Sequence, residues 1–204
     1  MKIILATHND GKVRELQELL AGSGLEVLSL ARYPRAPKVV EDGSTFRANA
    51  VKKAREVADA LGEIALADDS GLEVDYLDGA PGVISARFAG EEHNDAANNK
   101  KLLGLLAGVP REKRSARFRC VVAIAVPGGG VETAEGTCRG FITTGPRGGC
   151  GFGYDPLFYV PEPGKTFAQL DPHEKNRLSH RGKALRNALP VLQKLAAKSA
   201  LGRF

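Results

Sequence analysis

The apolar run from Ile64 to Ala67 stops abruptly at Asp68-Asp69-Ser70-Gly71, and no other feature narrows the fold of this chain so far. Such a run reads as a buried strand, and ligands of open α/β sheets bind at the carboxyl ends of their strands. A second run, Ile3 to Ala6, gives way to Thr7-His8-Asn9-Asp10-Gly11-Lys12. Val13, Leu16, Leu19 and Leu20 then recur at helical spacing until Gly22 and Gly24. Strand, polar loop and helix follow one another, as α/β architecture requires.

The later pattern modifies that reading. Leu25 to Leu30 predicts a second strand, and Ser44 or Thr45 caps a helix carrying Phe46, Ala50, Ala54, Val57, Ala58 and Leu61 inward, with Gly62 at its end. Leu72, Val74 and Tyr76 alternate with polar residues, which predicts a half-buried strand. A further helix is predicted over 94–106. Residues 117–126 and 131–138 flank Pro127-Gly128-Gly129-Gly130, the expected turn of a long hairpin that residues 141–144 extend. The chain ends in a helix expected over 182–197. The sheet should therefore be mixed, in a single α/β domain over 1–204 with room for lobes around a cleft.

With 204 residues the chain can bury a substantial core, and its apolar runs are too short for a membrane span or a signal-peptide core. A soluble, cytoplasmic protein is expected. Cys120, Cys138 and Cys150 are odd in number and lack C-x-x-C spacing, which disfavours a disulfide framework or structural zinc. A net charge of +5 favours an anionic partner without choosing between a polyphosphate and nucleic acid. Aromatic residues form only 6% of the chain and do not interleave with basic ones, so no stable nucleic-acid partner is expected.

Four units bear chemistry. The loop from Thr7 to Lys12 precedes a helix, whose exposed N–H groups and dipole favour phosphate; a capped turn with a solvated lysine fits equally well. Asp68 and Asp69 supply adjacent hard oxygens suited to Mg²⁺, or else an ordinary turn facing water. The segment from Gly148 to Asp155 permits close backbone approach to a ligand and offers Phe152 for stacking on a base; an ordinary glycine-rich hairpin loop explains the glycines equally well, though not the aromatic and acidic residues after them. Lys175-Asn176-Arg177-Leu178-Ser179-His180-Arg181 gathers donors ahead of a helix, placed to read a base carbonyl or phosphate; a basic, solvated helix start fits equally well. Gly164-Lys165-Thr166 is not a phosphate loop, because Tyr159 stands where its first glycine belongs.

Taken in order, A-T-H-N-D-G-K-V-R-E-L, E-D-G-S-T-F-R-A-N-A, A-D-D-S-G-L-E-V-D, G-A-P-G-V-I-S-A-R-F-A-G, G-F-G-Y-D-P-L-F and L-S-H-R-G-K-A-L resemble the inosine triphosphate pyrophosphatase (Ham1-like) family. The resemblance runs from about Lys2 to Leu195. It implies an elongated mixed sheet flanked by helices, with two lobes around a central substrate cleft, and a homodimer. The implied reaction is Mg²⁺-dependent hydrolysis of ITP, dITP and XTP to the nucleoside monophosphate and pyrophosphate, which removes these purines from the nucleotide pool.

The resemblance also implies roles. Asp69 is the base that aligns the attacking water and a metal ligand with Glu41, with Asp68 as a possible third. Thr7, His8, Asn9, Asp10, Gly11 and Lys12, with Lys53, contact the phosphate side, and Ser70 also binds substrate. Phe152, Gly153, Tyr154, Asp155, Lys175, His180 and Arg181 form the base pocket, in which His180 and Arg181 donate to the 6-keto oxygen. His8 stands where relatives often carry Gly or Asn. A related Maf-like pyrophosphatase is disfavoured by S-H-R-G and F-G-Y-D, and a non-catalytic nucleotide sensor by the intact acidic pair.

Overall fold

A computed structural model describes residues 1–90 and 94–200. In chain order its elements are β1 (Lys2–Leu5), α1 (Asp10–Leu20), β2 (Glu26–Ser29), α2 (Phe46–Leu61), β3 (Ala65–Val74), α3 (Asp95–Leu105), β4 (Ser115–Ala125), β5 (Val131–Ile142), β6 (Phe158–Val160), β7 (Lys165–Thr166), α4 (Pro172–Leu178) and α5 (His180–Ala200). The strands form a seven-stranded sheet in the order β2-β1-β3-β4-β5-β6-β7. β1 runs parallel to both β2 and β3, whereas β5–β6 and β6–β7 are antiparallel, so the sheet is mixed as expected.

Local chemistry explains the helices that matter most. Asn9 caps α1, its side-chain oxygen accepting from the Lys12 amide at 3.0 Å. Thr45 caps α2 in the same way through Ala48 N–H at 3.1 Å, and Gly62 ends it in the left-handed conformation at φ 67°. The buried face of α2 is Phe46, Asn49, Ala50, Lys53, Ala54, Val57 and Ala58. Asn49 and Lys53 lie one turn apart on that otherwise apolar stripe, which points them at the same neighbours.

The chain divides into two compact units: Met1–Asp69, Cys120–Gly136 and the segment from Arg181 form the first, Ser70–Arg119 and Thr137–His180 the second. The first has a core of Ile3, Leu5, Leu16, Leu20, Leu66, Cys120, Val122, Ile124, Leu185 and Leu192. Each fully buried Leu or Ile there contributes about 1.5–3 kcal/mol. The second packs Leu72, Val74, Leu102, Leu106, Ile142 and Leu157 around an aromatic group. Phe118 meets Phe158 edge-on at 4.7 Å, and Phe158 meets Phe167 at 5.0 Å.

Several sequence expectations are corrected. The apolar run does not end its strand at the aspartates, because β3 continues through Asp68, Asp69, Ser70 and Gly71 to Val74. Tyr76 is not on that strand; it lies in a 3-10 turn and is exposed. Residues 131–138 and 141–142 belong to one strand, Val131–Ile142, and Thr143 and Thr144 lie beyond its end. α5 begins at His180, two residues earlier than the spacing suggests. Among the described residues no helix is long and apolar enough to cross a membrane.

Candidate active site

The parallel ladder of β1 with β3 fixes where the first acidic residues meet the first loop. Ile4 pairs with Ala65 and Leu5 with Leu66, while the Ala6 amide donates to the Leu66 carbonyl at 2.8 Å. The loop leaving β1 therefore starts beside the stretch of β3 that carries Asp68 and Asp69. In it the Thr7 hydroxyl accepts from Asn9 N–H at 3.2 Å, and His8, Asn9 and Asp10 are exposed. Lys12, on the first turn of α1, reaches back to Asp68 Oδ2 at 3.1 Å.

Asp68 is fully buried. Its Oδ2 accepts from Nε and Nη2 of Arg181, each at 3.2 Å. The Cys120 thiol lies 3.9 Å from the same oxygen. Burial pushes its pKa upward, but the charges of Lys12, Arg181 and Lys53 outweigh that and hold the carboxyl far below the usual range. Arg181 is itself buried and also donates through Nη1 to Glu15 on α1. Glu15, Arg181, Asp68 and Lys12 thus form one chain of alternating charges inside the first unit.

Asp69 meets a different environment, because consecutive strand residues face opposite sides of the sheet. Asn49 donates to its Oδ2 at 3.1 Å, and Lys53 Nζ stands 3.6 Å from its Oδ1. Asn49 is held in turn by the Gly43 amide, which donates to its Oδ1 at 2.7 Å. Burial raises the Asp69 pKa above the ordinary value and Glu41 adds to the rise, against the lowering effects of Lys53, Lys12 and Asn49. Lys53 Nζ also lies 2.5 Å from Glu41 Oε1 and donates to the Asp68 carbonyl at 2.8 Å. Burial opposes the charge on Lys53, yet Asp69, Glu41 and Asp68 together keep its pKa above the usual lysine range.

Glu41 and Asp69 therefore converge on one cation with hard oxygen donors, a donor set that suits Mg²⁺. Among the described residues no group of three or more His, Cys, Asp and Glu side chains is arranged to hold a metal ion. Mg²⁺ does not require one, since it commonly binds through one or two carboxylates completed by substrate phosphates and water.

The remaining candidates, Arg181 apart, belong to the second unit. Ser70 follows Asp69 on β3 and is half-buried. Asp155 is buried, its Oδ2 accepting from Phe152 N–H at 2.9 Å and from Lys175 Nζ at 2.6 Å. The same ammonium lies 4.9 Å from the centre of the Phe152 ring. Gly153 is tied by its amide to Asp95 at 2.7 Å and by its carbonyl to Asn99 at 2.9 Å. The buried Tyr154 hydroxyl donates to the Ser85 carbonyl at 2.8 Å. His180 is buried and stacks on Phe118 at 4.6 Å with the ring planes 9° apart.

The close approaches at the glycine-rich segment are internal. A Cβ at Gly148 would collide with the Ala168 carbonyl and one at Gly151 with Asp155 Oδ2, and both have positive φ, 84° and 79°. Sequence reasoning missed Asn49, Glu15 and Cys120. The signal for Asn49 was available: with Lys53 it interrupts the apolar stripe of α2 at a spacing of one turn. Chemically, the first unit offers a shielded, fixed carboxylate beside two ion-paired ammonium groups, and the second an aromatic face with a buried lysine beside it.

The model of the Ham1 family matches residues 3–191. The chain is 60% identical over 195 residues to a protein of Desulforamulus reducens named dITP/XTP pyrophosphatase, covering 96% of this chain and 97% of that one. It is 56% identical over 184 residues to a Geobacillus kaustophilus protein of the same name, covering 90% of each. A HAM1 protein structure from Coxiella burnetii superposes with a TM-score of 0.85 at 43% identity, covering 95% of this chain and 99% of that one.

Proposed function

The chain belongs to the Ham1 family, and from that membership we propose that it hydrolyses dITP, ITP and XTP to the nucleoside monophosphate and pyrophosphate. Removing such purines from the nucleotide pool is the role that follows, in the cytoplasm and as a homodimer. The observation that carries the chemical reading is the contrast between neighbours. Asp68 is pinned as an anion by Lys12 and Arg181, while Asp69 has a raised pKa and is oriented by Asn49. One carboxylate organises cations and the other is left with the character of a base.

In this reading Asp69 aligns the water that attacks the α-phosphate, and it relays the proton away from that oxygen. Thr7, His8, Asn9, Asp10 and Gly11 present the amino end of α1 to the triphosphate, and Lys12, Lys53 and Ser70 contact its oxygens. Glu41 and Asp69 hold Mg²⁺, with Asp68 behind them; the bound ion supplies charge neutralisation for the departing pyrophosphate. No side chain needs to become covalently attached, since phosphoryl chemistry depends chiefly on positioning and charge.

Phe152 supplies a face for the purine, and Gly153, Tyr154, Asp155 and Lys175 shape its pocket. His180 and Arg181 donate to the 6-keto oxygen of hypoxanthine or xanthine. Asp68 and Glu15 fix the plane of the Arg181 guanidinium, so its fork is set before the base arrives. Adenine carries an amino group at that position and would leave donors unsatisfied, a loss of about 1–3 kcal/mol each.

The test is hydrolysis with Mg²⁺ of ITP, XTP, GTP and ATP, with the released product identified. Pyrophosphate should appear from ITP and XTP far faster than from GTP or ATP, and Asp69→Asn should lose turnover while retaining nucleotide binding. Orthophosphate as the product, equal rates on all purines, or an active Asp69→Asn would each overturn the assignment.

A further inference from the structure

Lys53 stands where a metal ion would be expected to stand. Its ammonium is 2.5 Å from Glu41 Oε1 and 3.6 Å from Asp69 Oδ1. These are the two carboxylates assigned to Mg²⁺. The lysine is buried, so solvent does little to screen it, and a third contact anchors it: the Asp68 carbonyl at 2.8 Å. Lys12, by contrast, is directed to Asp68 Oδ2.

We propose that the Lys53 ammonium is the resident cation of the metal site, holding Glu41 and Asp69 together before a divalent ion arrives and competing with that ion for them. This rests on the assignment of Glu41 and Asp69 as metal ligands. Without a cation between them the two carboxylates repel, and each is costly to desolvate. A single positive charge only half neutralises the pair, so a divalent ion displaces it favourably.

The Asp68 carbonyl lets the ammonium stay nearby after displacement. Having lost its carboxylate partners, it takes phosphate oxygens in their place. Metal and nucleotide binding are thereby coupled: the ion releases the lysine, and the triphosphate receives it. Linkage makes that coupling reciprocal. Lys53 is thus a positioning residue for the metal ligands as well as a phosphate contact.

The experiment is a Mn²⁺ titration without nucleotide, following the free ion by electron paramagnetic resonance; Mn²⁺ shares the octahedral oxygen preference of Mg²⁺. Lys53→Met should bind Mn²⁺ roughly tenfold more tightly than the parent, because it removes the competitor and one positive charge. Lys12→Met removes an equal charge from the same unit but not from between the ligands, and its effect should be clearly smaller. Lys53→Gln, which keeps a donor for the Asp68 carbonyl, should behave like Lys53→Met and guards against misfolding of the latter.

A second readout is thermal unfolding. Metal-free Lys53→Met should melt below the parent and gain more from added Mn²⁺ than the parent gains. Unchanged or weaker Mn²⁺ binding in both Lys53 variants overturns the proposal, as does an equal gain in Lys12→Met. Glu41→Gln and Asp69→Asn separate the premises. If they weaken Mn²⁺ binding while the Lys53 variants do not strengthen it, the site stands and the competition fails. If they leave it unchanged, the ligand assignment fails and the competition falls with it.

Discussion

Replacing Asp68 by asparagine would remove the carboxylate shared by Lys12 and Arg181, and with it the centre of a buried charge chain. Breaking a buried pair from one side typically costs about 3–5 kcal/mol. Asp68→Asn should therefore be destabilised by about that much at neutral pH, readable by denaturant unfolding. The sign of its pH dependence follows from the depressed pKa. A carboxyl held below its ordinary value of 3.8 contributes stability above that value and loses it as pH falls toward the folded-state value. The gap between parent and Asp68→Asn should narrow on acidification below about pH 3.8; a gap that widens there would contradict the charge-chain reading. Asp69 has the opposite sign, since its raised value contributes stability that is lost as pH rises through it. The acidic pair was visible in the sequence and the resemblance set Asp69 apart from Asp68, but the ion pairs that physically separate the two were not visible. That separation depends on Arg181, which reaches Asp68 across 113 residues of chain, and no local pattern encodes such a contact.

Among the elements, the loop from Gly148 to Asp155 shows how two glycines of one motif are required by contacts within the fold. At Gly148 and Gly151 the close backbone approach accommodates the Ala168 carbonyl and Asp155, while Gly149 and Gly153 face open space. Gly151→Ala places a Cβ against Asp155 Oδ2 at φ 79°, at a cost of about 1–3 kcal/mol. Its melting temperature should fall by several degrees. Gly149→Ala, where a Cβ meets nothing within 4 Å, should stay within about 0.5 kcal/mol of the parent. Equal losses at the two positions would mean that the Asp155 contact does not organise the loop. The longer elements were legible because apolar spacing and caps agreed, as with Asn9 before α1 and Thr45 before α2. β6 and β7, of three and two residues, are too short to display a period. α4 carried a readable start, Asp171 capping Glu174 with Pro172 at its first position, that the apolar pattern alone did not reveal.

At the scale of the whole molecule, a net charge of +5 and a pI near 9.2 left open whether the positive field serves binding or only solubility. The site adds a local answer. Lys12 and Lys53 stand beside Asp68 and Asp69 in ion pairs, which on the proposed reading the triphosphate exchanges for its own oxygens. A field that draws an anionic nucleotide inward acts on encounter, and salt screens it over about 10 Å at 0.1 M. Raising ionic strength with an inert salt should therefore lower kcat/KM for ITP several-fold while kcat at saturation changes little. The surface variant Lys52→Gln, which loses only the exposed pair with Asp42, should keep nearly the parent's salt slope, because one peripheral charge contributes little to the field. Lys12→Gln should flatten it. A kcat/KM independent of salt in the parent would assign the basic surface to solubility, leaving recognition of the nucleotide to short-range contacts alone.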